Sequence, residues 1–260
     1  MNYTTLTCTV TGRTATVTMN RPERRNALNE TLIRELTDVF TSLNKNPGVR
    51  VVLLTGAGGA FCAGMDLDHL VEYARLDQGK NLEDAQNLLR LLLLLHQHKK
   101  AVVAVVNGPA LGGGCGLAAA CDFVYAGAEK GLFGVPEVRL GFVPAVILFF
   151  LVKRMGSGAA REFVLKGGKF GSSEALAAGL VSEIVPDAEL LTAAGAFAEH
   201  LAATTSPSSV TLTKELFGRF DDMKPSEALE YATALNALSR KTDDFRKGME
   251  AFLAKEKLQW

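Results

Sequence analysis

The sequence predicts an α/β protein built on a largely parallel sheet, and three observations carry that reading. Strand-like runs alternate with helix-like ones through most of the 260 residues, the pattern of successive βα units. Two of the runs, "VRVVLLTG" and "AVVAVVNG", are rich in β-branched residues and almost continuously apolar, as strands covered on both faces are. From about residue 193 the strand signal stops and only helical patterns follow.

Taken in order, "TLTCTVTGRTATVTMN" alternates, breaks at Gly12-Arg13 and resumes, which predicts a hairpin. "RPERRNALNE" leads into an amphipathic helix over residues 29–43, stopped near Asn46-Pro47-Gly48, where proline and glycine end a helix. "VRVVLLTG" is the next strand, followed by a glycine-containing loop and "FCAGMDLDHL". A helix is expected over residues 82–97, then the buried strand "AVVAVVNG", with "FVYAG" and "LVSEIV" as shorter strands. "AGAFAEHLAATT", "SPSSVTLTKELFGRF", "SEALEYATALNALSR" and "DDFRKGMEAFLAKEKL" are the C-terminal helices, punctuated at Ser206-Pro207 and at residues 221–225. The expected division is a core over residues 1–192 and a helical region over residues 193–260.

The composition, 48% hydrophobic and 22% charged, is that of a globular chain long enough to bury a large core. Lys+Arg and Asp+Glu balance at 28 each, so net charge argues for neither nucleic acid nor an anionic membrane as partner. Cys8, Cys62, Cys115 and Cys121 lack metal-ligand spacing; no metal is expected, and free thiols suit a reducing compartment. "MNYTTLTCTVTGR" has neither the basic start nor the apolar core of a secretory leader, so the expected location is cytoplasmic. The apolar runs 91–95 and 145–152 fall short of the roughly 20 residues a spanning helix needs and are expected as buried elements.

The densest glycine cluster lies in "VVNGPALGGGCGLAAACDF", residues 105–123. It lacks the Gly-Lys-Ser/Thr ending of a phosphate loop, and neither its spacing nor its mid-chain place suits a dinucleotide fingerprint. Two readings remain on its own residues. One is a tight turn where strand and helix pack closely. The other is a helix N-terminus whose backbone N–H groups stabilise an oxyanion. An oxyanion hole wants a second donor, and "VVLLTGAGGAFCAGMDL" supplies another strand–glycine–helix junction at Ala63-Gly64-Met65.

The pair "FCAGMDL" and "NGPALGGGCGLAAACDF", with "NRPERRNAL" before them and "FGVPEVRLGFVP" and "ALAAGLVSEIVP" after, resembles the enoyl-CoA hydratase/isomerase (crotonase) family in order and spacing. With "FRKGMEAFLAKEK" the resemblance covers essentially the whole chain. It implies a spiral of ββα-type turns, a C-terminal helical trimerisation region, a homotrimer or dimer of trimers, and an acyl-CoA thioester substrate. It implies no cofactor, since CoA is part of the substrate. Carried over by motif position, the oxyanion amides would be those of Met65 and Gly113, and the acid/base would be Glu137 of the "PE" pair. Arg24, Arg25 and Ala27 of "NRPERRNAL", with Ala63, would bind CoA. Phe252 and Lys255 would reach the adenine of a neighbouring subunit's CoA, although both also suit a plain amphipathic helix.

The family's second glutamate should stand where this chain has Gly116. Loss of one acid–base group costs roughly 10²–10⁴ in rate, which puts a two-glutamate hydration in question and leaves hydration and double-bond isomerisation unseparated. Asp68, His69 and Tyr73 are the candidates to replace it, although a solvated helix face is the plainer expectation for all three. Asp66 reads as a helix cap and Cys115 as packing. The alternatives are decarboxylation of a CoA- or carrier-bound acid through the same enolate, and a catalytically silent acyl-CoA-binding protein on the same scaffold.

Overall fold

The computed structural model describes residues 3–73, 75–220 and 223–260. Met1 and Asn2 of the opening segment, and Asp221 and Asp222 of the break at 221–225, lie outside the described residues.

The chain opens as the expected hairpin: β1 (Leu6–Thr11) runs antiparallel to β2 (Thr14–Met19). The sheet then grows in parallel through β3 (Val51–Gly56), β4 (Ala101–Val106), β6 (Phe123–Gly127) and β9 (Glu183–Val185), in the order β1-β2-β3-β4-β6-β9. Helices cover both faces, which explains the continuous apolarity of β3 and β4. Val52, Leu54, Val102, Ala104 and Val106 face the main core, together with Leu32, Leu36 and Phe40 of α1 (Glu30–Lys45) and Leu91, Leu92 and Leu95 of α3 (Gln78–His96). Val51, Leu53, Val103 and Val105 face the other way, onto Leu190, Ala194, Ala198 and Ala202 of α7 (Leu190–Thr204). Successive strand residues point to opposite faces, so both sets must be apolar.

A second, three-stranded sheet escapes sequence patterning because each strand has only three residues: β5 (Pro109–Leu111), β7 (Leu132–Gly134) and β8 (Lys169–Gly171). A run of three cannot establish a period. β5 feeds α4 (Gly113–Ala120), and β7 feeds a short 3-10 turn over Glu137–Leu140.

The apolar run 145–152 departs from its expected burial. It opens α5 (Ala145–Lys166), where Ile147, Phe150 and Leu151 are buried while Leu148, Phe149 and Val152 are exposed. One stripe of a helix faces the core and the rest of the run does not. A break at Gly156, φ 76° and ψ 162°, divides α5. α7, which spans residues 192 and 193, packs on the sheet, and α8 (Pro207–Arg219), α9 (Pro225–Ser239) and α10 (Asp243–Ala254) follow it. These last three helices bury only Ala228 and Leu235 among their described residues and expose Phe217, Leu229, Leu238, Phe252 and Leu253. Among the described residues no helix is long and apolar enough to cross a membrane.

Candidate active site

Three separated stretches lie side by side. The Arg25 carbonyl accepts from the Ala63 N–H at 3.0 Å, the Leu28 N–H donates to the Gly64 carbonyl at 2.7 Å, and the Asp66 N–H donates to the Leu28 carbonyl at 2.8 Å. On the other side the Cys62 N–H donates to the Pro109 carbonyl at 3.0 Å, and its carbonyl accepts from Leu111 at 2.9 Å. Residues 62–66 are thus held between the loop at 25–28 and the strand β5.

Gly64 turns the chain here with φ 93°, and a β-carbon on it would stand 2.8 Å from the Leu111 carbonyl oxygen, so a side chain is excluded twice over. The consequence for Met65 follows from a planar trans peptide. Because the Gly64 carbonyl points at Leu28, the Met65 N–H points away from Leu28. The same argument fixes the second amide. The Gly112 carbonyl accepts from the Gly116 N–H at 3.0 Å along α4, so the Gly113 N–H points back out of the helix N-terminus, where the helix offers no acceptor. The Gly113 nitrogen lies 3.6 Å from where a Gly64 β-carbon would be. Two outward amides at one place, one of them at the positive end of a helix, can hold a developing oxyanion.

The second sheet brings the carboxyl. β5 and β7 are parallel neighbours, tied just past their ends by the Gly112 N–H donating to the Gly134 carbonyl at 2.8 Å. Gly112 and Glu137 therefore emerge from adjacent strand ends. The 3-10 turn holding Glu137 is closed by Gly141, φ 71°, and by the Phe142 N–H on the Glu137 carbonyl at 2.9 Å. Gly112 has φ 50° and ψ −120°, and its missing side chain leaves room for Glu137 Oε1. Burial raises the Glu137 pKa above the ordinary carboxylate value, offset only in part by a hydrogen bond from its own backbone. Its Oε2 is buried without a hydrogen-bond partner among the described residues. A half-buried carboxyl with one orphan oxygen, beside two aimed amides, has the makings of a proton-transfer site.

Gly116 has a packing reason. A β-carbon there would lie 2.9 Å from Ile147 Cβ, in contact also with its Cγ2, and 3.6 Å from Leu92 Cδ1. α4 and α5 approach too closely for any side chain at 116, and Ile147 and Leu92 fill the space. Gly114 is excluded likewise by Cys62, whose Cβ would be 2.8 Å away.

The remaining candidates divide into two groups. Arg24, Arg25, Ala27 and Ala63 lie in the stitched stretches. The Arg24 guanidinium pairs with Asp68 at 3.0 Å in the open, and the Ala27 carbonyl accepts from the Arg21 guanidinium at 2.5 Å. Phe252 and Lys255 lie at the far end of α10, exposed, and no described contact within the chain joins them to Glu137. Asp66 caps as expected, accepting from the Asp68 N–H at 3.2 Å, and also pairs with Arg21 at 3.1 Å. His69 is not on a solvated face. Its Nε2 lies 2.8 Å from Asp84 Oδ1, its ring packs on Tyr73, and the His69 and Asp84 side chains are only 9% and 15% exposed.

Two residues that sequence reasoning passed over shape the site. Asn26 is fully buried at φ 55°; its side chain accepts from the Arg21 N–H and donates to the Ala57 and Ala60 carbonyls. An asparagine in left-handed backbone beside two arginines was the available signal. Ile147 carried none, because its partner at 116 has no side chain.

Similarity to known proteins agrees with this geometry. The family model described as enoyl-CoA hydratase/isomerase matches residues 10–260. A Thermus thermophilus protein bearing an enoyl-CoA hydratase name is 40% identical over 244 residues, 94% of this chain and 96% of that one. The crystal structure of an enoyl-CoA hydratase from Shewanella pealeana superposes with a TM-score of 0.91 at 31% identity, covering 99% of this chain and 96% of its own. A crotonase structure from Legionella pneumophila gives 0.87 at 33% identity, covering 97% of each. The spiral expected from the sequence is the fold of these neighbours, and the chain belongs to the enoyl-CoA hydratase/isomerase family of enzymes.

Proposed function

We propose that this enzyme moves protons on an acyl-CoA thioester through an enolate, with Glu137 as its single acid/base and the Met65 and Gly113 amides on the thioester oxygen. The observation that carries the reading is the placement of the Glu137 carboxyl over Gly112, one residue before the outward Gly113 amide. A thioester enolate concentrates charge on one oxygen, and fixed amide dipoles stabilise it without reorganising. Raising the carboxyl's pKa by burial brings it closer to the working pH of a proton-transfer group.

In this reading Arg24, Arg25, Ala27 and Ala63 take the CoA moiety, the arginines pairing with its phosphates, and no other cofactor takes part. The chain works as a homotrimer or a pair of trimers in which Phe252 and Lys255 of a neighbour complete the CoA site. The exposed apolar residues of α8–α10 support such an assembly. The test is Glu137→Gln, which should keep acyl-CoA affinity while lowering turnover and deuterium exchange by at least about 10². Turnover near that of the parent enzyme would remove Glu137 from the mechanism.

A further inference from the structure

We propose that Ile147 sets the reaction, by occupying the place of a second proton-transfer group and so restricting the enzyme to isomerisation between 2- and 3-enoyl thioesters. This rests on the assignment of Glu137 above and deepens it. Gly116 lies on the first turn of α4, following the Gly113 amide by three positions, where a side chain would point into the contact with α5. That contact is made by Ile147, 3% exposed, and Leu92, fully buried. The space is therefore occupied by apolar side chains, and a carboxylate placed there would be buried without a partner.

The two family reactions differ in what they ask of that wall. Hydration forms a C–O bond at C3: water gives one proton to a base, and C2 of the enolate takes a proton, so one molecule of water is added. Two acid–base groups share this work most readily. Isomerisation is a closed transfer. Glu137 takes a proton from C2 of a 3-enoyl thioester, the electron pair passes onto the thioester oxygen, and the same carboxyl returns the proton to C4. No atom is gained or lost, and one carboxyl suffices. The residue that fills position 116 lies on the helix that follows the Glu137 turn and packs on it. One segment thus supplies the acid/base and excludes a second.

The experiment measures both reactions on the full chain, giving 3-enoyl-CoA and 2-enoyl-CoA separately and following isomer and 3-hydroxyacyl product by mass spectrometry. The parent enzyme should isomerise at least about 10² faster than it hydrates. Gly116→Glu alone should collide with Ile147 and lose activity without gaining hydration, whereas the pair Gly116→Glu with Ile147→Ala should hydrate at least tenfold faster than the parent. Hydration by the parent enzyme at a rate comparable to isomerisation would overturn the proposal, and so would hydration by Gly116→Glu alone. A folded double variant with no added hydration would overturn it as well. If the double variant does not fold, the parent's ratio of the two rates decides. Parent hydration abolished by Glu137→Gln would sink the role of Ile147 while leaving Glu137 in place; loss of neither reaction in that variant would sink the assignment of Glu137.

Discussion

Glu137 sets its Oε1 over the bare α-carbon of Gly112, 2.8 Å from where a β-carbon would stand. The contact joins the ends of two neighbouring strands, β5 and β7, so the acid/base and the helix that offers the Gly113 amide share one anchor. The glycine serves the site twice. Its φ of 50° with ψ of −120° turns strand into helix, and its lack of a side chain admits the carboxyl.

Gly112→Ala should therefore cost activity out of proportion to stability. The backbone conformation is strained for an L side chain, by about 1–3 kcal/mol, and the new methyl meets the carboxyl. Turnover should fall at least about 10² in a protein whose circular dichroism and assembly are unchanged. A variant that turns over normally would mean that the Glu137–Gly112 contact has no bearing on catalysis.

Replacing Glu137 should also stabilise the protein at neutral pH. Burial raises its folded pKa, so the folded state holds that proton more tightly than the unfolded one. Its contribution to folding is complete below about pH 4.3, the unfolded value, and is lost as pH rises through the folded value. Above that, the folded state carries a partly desolvated charge with an orphan oxygen. Glu137→Gln removes it. The variant should melt higher than its parent at pH 7, by on the order of 1 kcal/mol or about 2–4 °C, and the gap should close towards pH 4. Equal melting at pH 7 would show that the folded protein does not penalise this charge.

The second prediction on acid behaviour has the opposite sign. Burial alone would raise the pKa of Glu35, but the N–H and hydroxyl groups of Thr4 and Thr5 all donate to it at 2.7–3.1 Å and hold it at about 2. A folded pKa below the unfolded one gives stability that is present above about pH 4.3 and lost as pH falls towards 2. These bonds tie the residues just before β1 to α1. Glu35→Gln should lower the urea midpoint at pH 7 by an amount worth about 1.5–3 kcal/mol, with the two curves converging at acid pH. A deficit that does not shrink with pH would assign the effect to packing.

Much of this molecule was legible in its sequence. The hairpin, β3, β4 and the C-terminal helices had runs long enough to show a period, and the paired glycine junctions located Gly64 and Gly113. The second sheet was not legible, because β5, β7 and β8 have three residues each; yet that sheet is what carries Glu137 to Gly112. The tight packing at Gly116 was hidden for another reason. A glycine announces that something comes close, and only coordinates say that the neighbour is Ile147. His69 looked like a surface residue because the helix α2 (Leu67–Tyr73) is polar, and its shielding comes from Asp84 on α3, distant in sequence.

Asn26 offers the last test, because it separates positioning of the CoA loop from contact with CoA. Its amide oxygen accepts from the Arg21 N–H at 2.9 Å and its amide nitrogen donates to the carbonyls of Ala57 and Ala60 at 2.9 and 2.8 Å. The side chain is wholly enclosed, so it serves as a peg between the loop at 21–28 and the loop after β3. Asn26→Ala leaves three buried groups without partners and places alanine at φ 55°. Each orphaned group costs about 1–3 kcal/mol, so the loss of stability should be several kcal/mol in total. Asn26→Asp keeps the acceptor and tolerates the backbone, but turns the two donor contacts into repulsion between oxygens. If Asn26 only holds the loop, acyl-CoA affinity should fall in step with the loss of order in residues 21–28, measured by amide hydrogen exchange in each variant. Weaker acyl-CoA binding with unchanged exchange protection in that loop would mean instead that the side chain is needed by the ligand directly.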